Sequence, residues 1–312
     1  MTPSDADFIR RRALTALSNN RAPGYHFAGH FLDLQCPRYE ADGVVMEMDT
    51  GAHNRNPDGT TNLAAVFFLA DMALSAACRV YLDPRERTAT LKMQMEFLGG
   101  ELRGRIRAET HSPGFSHRTA LAEASCFGRI IANGREIVRI GGTWVNPPTP
   151  DGRPLHPLPW EKEYRDPHLP LLAKSQLDAK EKAVLVQVER ALREARHGEF
   201  MQRLWTPKVR HTPRGALGRL PIGLYVGNRV GHVQGGISMY AALATAVGAV
   251  PHHPLVTAVS AWYISPGEGK ALSARSTVLQ KGRNVAVVRT ELFGTGRRRV
   301  LEVVSNHAIA RH

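Results

Sequence analysis

Residues 56–78 read NPDGTTNLAAVFFLADMALSAAC, and residues 228–245 read NRVGHVQGGISMYAALAT. Each is a polar loop running into an apolar stretch long enough for a buried helix. Laid over one another without a gap, they pair Asn56 with Asn228, Gly59 with Gly231, Asn62 with Gln234, Leu63 with Gly235 and Ala64 with Gly236. Asp71 then falls opposite Leu243. The shared register predicts an internal duplication. It also poses a question, because a carboxylate is costly to bury and Asp71 stands alone near the middle of the most hydrophobic run of the chain.

The surrounding elements repeat too. In the first half the strand-like ADGVVMEMD (41–49) precedes a helix expected over Leu63–Leu82, and TATLKMQMEF (88–97), GRIRAETHS (104–112), SHRTALAEASCF (116–127) and REIVRIGGTWV (135–145) follow as strands. In the second, GRLPIGLYV (218–226) precedes the helix GISMYAALATAVGAV, and LVTAVSAWYI, KALSARSTVLQ, NVAVVRTELFG and RVLEVVSNHAIA follow. One strand, one buried helix and about four strands, repeated, predicts an α+β chain with two antiparallel sheets side by side, each curled around its helix.

Eight of the 20 prolines lie between Pro147 and Pro170, where no regular element is expected. Beyond them, SQLDAKEKAVLVQVERALREARHG (175–198) reads as an amphipathic helix with Ser175 and Asp178 in its first turn and Gly198 at its stop. Its apolar stripe suits packing on a domain or an oligomer contact. The expected domains are 1–146, with a leading helix, and 206–312, joined by residues 147–205.

At 312 residues with 43% apolar and 22% charged side chains, the composition is that of a globular chain. The 20 residues from Leu63 to Leu82 have the length of a membrane span, which takes about 20 residues, but Asp71 and Arg79 argue for a core helix instead. Cys36, Cys78 and Cys126 form an odd set without metal-ligand spacing, which suits free thiols in a reducing cytoplasm. The N-terminus shows no apolar signal segment. The net charge of +13 reflects arginines scattered along the chain, read as a basic solvated surface or as complementarity to an acidic small ligand. No zinc-finger spacing or aromatic–basic ribonucleoprotein motif supports a nucleic-acid partner.

The loop-and-helix pair resembles the hotdog fold, specifically the acyl-CoA thioesterases of the phenylacetate-degradation type. That family reads Asn-x-x-Gly-x-x-His-Gly-Gly, then an Asp or Glu seven residues after the last glycine. The resemblance covers nearly all of residues 25–146 and 205–312 and implies a tandem (double) hotdog protein. In the family the active site lies between two units. One unit supplies the Asn and the backbone N–H of the first glycine, and the other supplies the helix acid and often a strand hydroxyl.

Neither half of this chain carries the whole motif. The first has Asp71 but Leu63 and Ala64 in place of the glycines. The second has Asn228, Gly231, Gly235 and Gly236 but Leu243 in place of the acid, and Gln234 where the family has His. Counting back from Phe97 places Thr90 at the hydroxyl position, and the same count from Tyr263 reaches Val256. The resemblance therefore implies one composite site per chain. Asp71, Thr90, Asn228 and Gly235 would be catalytic, and Gly236, Gln234, Arg118 and Arg283 would bind substrate, the two arginines meeting coenzyme A phosphates. No metal or redox cofactor is implied, coenzyme A entering only as part of an acyl-CoA substrate.

The chemistry suits those residue types. A backbone N–H at a helix N-terminus stabilises an oxyanion, glycine lets a carbonyl approach it, and a partly buried carboxylate serves as general base or nucleophile. Each residue also has a plainer account. Asp71 could be a buried acid satisfied by backbone donors, Thr90 strand packing, Gly235-Gly236 a tight turn, Asn228 a turn cap, and Arg118 and Arg283 exposed loop residues. His232 beside the glycines is read as structural. A lapsed acyl-CoA-binding protein, a hotdog hydratase or dehydratase, and a nucleic-acid-binding protein resting on charge alone remain as alternatives, and a homo-oligomer of double units is a possible assembly.

Overall fold

The computed structural model describes residues 2–163 and 169–310. Helix α1 (Pro3–Asn19), closed by a Thr2–Asp5 capping box, and the short α2 (Phe27–Leu32) lead the chain. Strands β1 (Gln35–Glu40) and β2 (Gly43–Asp49) precede α3 (Leu63–Arg79), and β3 (Ala89–Phe97), β4 (Arg105–His111), β5 (Phe115–Ser116), β6 (Glu123–Ala132) and β7 (Arg135–Val145) follow it. After α4 (Ala179–Glu194) and α5 (Phe200–Trp205) come β8 (Lys208–Thr212), β9 (Gly215–Pro221), α6 (Gly235–Ala249), β10 (Leu255–Tyr263), β11 (Ala271–Lys281), β12 (Val285–Phe293) and β13 (Arg299–Ala308).

Several boundaries differ from the sequence reading for local reasons. Helix α3 stops at Arg79, short of Leu82, because the chain tightens there, the Tyr81 and Leu82 N–H groups bonding three residues back to the Cys78 and Arg79 carbonyls. The strand expected over 218–226 ends at Pro221, and Leu224–Val226 forms a short 3-10 turn. Most of 116–121 pairs with nothing, whereas β6 runs on to Ala132, where Asn133 and Gly134, both at positive φ, turn it into β7. Each half opens on a hairpin, β1–β2 and β8–β9, not on one strand.

The sheets are one. All strands join a thirteen-stranded sheet of order β1-β2-β4-β6-β7-β3-β10-β13-β12-β11-β9-β8, with β5 attached to β6. The halves meet where β3 pairs antiparallel with β10. There Gln94 faces Ser260, its own counterpart when Phe97 is matched to Tyr263, with Glu96–Ala258 and Lys92–Trp262 placed evenly on either side. A pseudo-twofold axis therefore passes between Gln94 and Ser260. Helix α3 lies on β2, β4, β6 and β7, α6 lies on β9, β11, β12 and β13, and the two helices pack on each other. Among the described residues no helix is long and apolar enough to cross a membrane.

Among the described residues, the segment between the halves is packed, not loose. Asp178 caps α4 by accepting from the Glu181 N–H at 2.8 Å, and the Val184, Val188, Ala191 and Leu192 stripe is buried within the chain against α1 and α5. Arg10–Glu189 and Arg21–Glu181 ion pairs, at 2.9 and 2.8 Å, tie the same helix to the N-terminal segment. Further upstream, Glu161 forms a buried bidentate pair with Arg79 at 2.9 and 3.1 Å, with side chains 1% and 3% exposed. It also accepts from Tyr39 Oη at 3.0 Å and from the Leu158 N–H at 2.7 Å. The proline-rich stretch is thus clamped to the end of α3.

Candidate active site

Helix α6 begins against the middle of α3. Its first glycines permit this. A Cβ on Gly236 would lie 2.2 Å from the Phe67 carbonyl oxygen, and one on Gly235 would lie 2.8 Å from Asp71 Oδ2. Bringing the helix start this close sets its backbone donors at the carboxylate. Asp71, 6% exposed, accepts from Thr90 Oγ1 on Oδ1 at 3.1 Å, and from Gln234 Nε2 and the Gly236 N–H on Oδ2 at 2.6 and 3.2 Å. Thr90 is on β3 of the same half, and Gln234 and Gly236 belong to the other.

Gln234 does two jobs. Its Nε2 donates to Asp71, and its Oε1 caps α6 by accepting from the Ile237 N–H at 3.0 Å. The Gly235 N–H has no acceptor among the described residues, and as the first amide of α6 it carries the positive end of the helix dipole. Tyr263 Oη, at the end of β10, donates to the Gly235 carbonyl at 2.9 Å and fixes that peptide.

Burial raises the Asp71 carboxyl to about 6, while the Thr90 hydroxyl and the Gly236 N–H hold it down. The same burial, with the Asp71 charge beside it, raises Tyr263 well above the ordinary phenol range, so the phenol stays a donor. A carboxylate poised near neutrality beside an unengaged helix N-terminal amide is chemically a base or nucleophile facing an anion-stabilising donor.

Thr90, Gln234, Gly235 and Tyr263 line a cavity of about 290 Å³, and Asp71 lies behind them. Asn228 also lines it, with its carboxamide oxygen turned into its own loop to accept from the Val230 and His232 N–H groups, each at 3.0 Å. It shapes the loop that presents Gly235. Gly236 does not reach the cavity, and its N–H is committed to Asp71. The structure does not bring Arg118 or Arg283 here: both are exposed, the first in the loop before β6 and the second in the turn before β12. The cationic side chains in this wall are Arg79, Arg87 and Arg229.

Sequence reasoning missed Tyr263, whose signal was a hydroxyl opposite Phe97 in the repeat. It also set aside His232, which lines the cavity and pairs with Glu268 at 2.9 Å. The reciprocal seam is a separate cleft of about 1030 Å³, lined by Asn62, Leu63, Leu243 and Val256 among others. Where the first seam has Asp71, Thr90 and Gly235, this one has Leu243, Val256 and Leu63.

No protein-family model matches the chain, and no curated protein matches it. Solved structures do. A putative oleoyl thioesterase from Lactobacillus plantarum aligns over 88% of this chain and 98% of its own, with TM-score 0.54 and 10% identity. The 12:0-ACP thioesterase of Umbellularia californica aligns over 85% and 93%, with TM-score 0.53 and 12% identity. A putative thioesterase from Novosphingobium aromaticivorans aligns over 88% and 98%, with TM-score 0.52 and 12% identity. The chain has the hotdog fold that these structures share. At such identities the likeness speaks to architecture alone, and the chemistry has to be argued from the seam between α3 and α6.

Proposed function

We propose that this chain hydrolyses acyl-CoA or related acyl thioesters at one composite site. In this reading two hotdog units, residues 1–146 and 206–312, stand in tandem, with 147–205 between them. One observation carries it: the isolated acid of α3 is hydrogen-bonded across the seam to the start of α6, beside an amide with no acceptor. The thioester carbonyl sits against the Gly235 N–H. Asp71 Oδ1, which accepts only from Thr90 among the described residues, takes a proton from water as the water oxygen attacks the carbonyl carbon. The carbonyl electron pair moves to the oxygen held by Gly235, and its return expels the thiolate. Direct attack by the carboxylate, giving a mixed anhydride that water then opens, uses the same atoms. Thr90 and Gln234 position Asp71, Asn228 shapes the loop, and Gly236 sets the approach of the helices.

A second reading, an acyl-thioester-binding protein without turnover, is favoured by one feature: Asp71 accepts three hydrogen bonds and lies behind the cavity wall. A thiol-release assay over a panel of acyl-CoAs separates the two. Hydrolysis that falls by at least ~10²-fold in Asp71→Asn supports the first reading. Tight binding of a non-hydrolysable analogue with no thiol release from any substrate supports the second.

A further inference from the structure

The cavity extends away from Asp71 along α3. Met72, Ser75, Ala76 and Arg79 line it on successive turns, Arg79 lying about 12 Å from Asp71 at the helical rise. Its far end is built by three segments distant in sequence: His26 ahead of α2, Trp160 in the proline-rich stretch, and Arg229 in the loop before α6.

These side chains share a deficiency. Among the described residues His26, 5% exposed, has no partner for its Nδ1, and the Trp160 indole N–H has none either. Arg229 donates from Nη1 to the His156 carbonyl at 2.9 Å, and no carboxylate pairs with it among the described residues. The neighbouring Arg79 is already matched by Glu161. Burial, and then the charge of Arg79, push the Arg229 guanidinium down to about 10, against the opposing charge of Glu161. Other buried side-chain atoms, such as those of His53 and Trp144, lack partners too, but His26 and Trp160 line a cavity beside an arginine with no paired carboxylate.

We infer that this end of the cleft recognises an anion carried by the acyl group, so that the preferred substrates are thioesters bearing a carboxylate remote from the thioester carbon. This rests on the thioester reading above. The far end lies about 12 Å along α3 from Asp71, nearer to the reacting carbon than an extended pantetheine arm would set the phosphates of the coenzyme, so an anion bound there belongs to the acyl portion. Arg229 supplies a charge-assisted donor and Trp160 a second N–H, the geometry a carboxylate takes up.

The test compares kcat/KM for straight-chain acyl-CoAs matched in length, with and without a terminal carboxylate, and repeats the pairs as N-acetylcysteamine thioesters, which lack phosphates. A preference of at least ~10-fold for the carboxylated member in both series is expected, as for one charge-assisted hydrogen bond. Arg229→Gln should abolish the preference, Arg229→Lys should restore part of it, and Trp160→Phe should weaken it. Equal rates on the two members would overturn the inference. So would a preference confined to the CoA series, which would assign the anion to the coenzyme. Calorimetry with non-hydrolysable thioether analogues of the same pairs reads binding alone. If no thioester is hydrolysed, the proposed activity fails, and the calorimetric preference still decides the acyl-end specificity.

Discussion

Asp71 is held between opposing effects, and its pH behaviour follows from them. Burial lifts its carboxyl to about 6. A base with that value predicts thiol release that rises through pH 6 to a plateau, with roughly a tenth of the plateau rate one unit below it. The stability consequence has the opposite sense. Because the folded value exceeds the unfolded one, the protonated form favours folding fully below about pH 4, and this contribution is lost as pH rises through about 6. Above that, the ionised carboxylate costs on the order of 3 kcal/mol. In Asp71→Asn the new carboxamide oxygen can accept from Gln234 and Gly236, and its NH2 can donate to Thr90, whose hydroxyl turns from donor to acceptor. Denaturant titrations should therefore find the variant inactive yet more stable than the parent at about pH 8, with little difference at about pH 4. Gly235→Ala should be harmful even though it retains the amide, because the added Cβ falls 2.8 Å from Asp71 Oδ2 and displaces the carboxylate. A loss of at least ~10-fold in kcat is expected, and Gly235→Pro, which removes the N–H itself, should cost on the order of 10²–10³.

At the scale of elements, the proline-rich stretch does more than link. Proline composition reports that regular backbone is absent, and says nothing of whether the backbone is packed. Leu158 is buried, Trp160 forms part of the cavity wall, and both flank the Glu161 that pairs with Arg79 at the end of α3. Glu161→Gln would leave the Arg79 guanidinium buried without its counter-charge. A loss of about 3–5 kcal/mol is expected, read as a lower midpoint in urea, together with a raised KM because a wall of the cleft loosens. Replacing both members, Arg79→Met with Glu161→Leu, should recover much of the stability.

Over the whole molecule, the two places where α3 and α6 approach each other are unequal. The Asp71 seam has an acid, a hydroxyl and an open glycine amide, and the opposite cleft has Leu243, Val256 and Leu63 at the corresponding places. Titration with a non-hydrolysable acyl-CoA analogue should give one productive site per chain. Since Asp71 and Gly235 meet within a single chain, mixing Asp71→Asn with Gly235→Pro protein should restore no activity. Recovery of about a quarter of the parent rate, the share expected for random pairing of halves, would mean that the site forms between chains.

The sequence by itself determined the repeat, the two buried helices, the turn chemistry that starts them and the unequal division of polar residues between the halves. Those signals are local: apolar periodicity, an Asn-x-x-Gly loop, a glycine pair. Registering one half on the other showed that the polar residues are divided unequally, and the resemblance to the thioesterase family implied that Asp71, Thr90, Gln234 and Gly235 meet at a common seam. Only the tertiary structure decided that β3 and β10 join the sheets into one, because which strand edges pair depends on the assembled faces and is not written in either strand. It also decided that Gly236 is small for the sake of the Phe67 carbonyl, that Tyr263 fixes the Gly235 peptide, and that Arg229 in place of Arg118 or Arg283 faces the cleft. The far end of the cleft was illegible for the same reason. His26, Trp160 and Arg229 come from three segments with no common pattern, and only the packing of those segments brings them to the wall of one cavity.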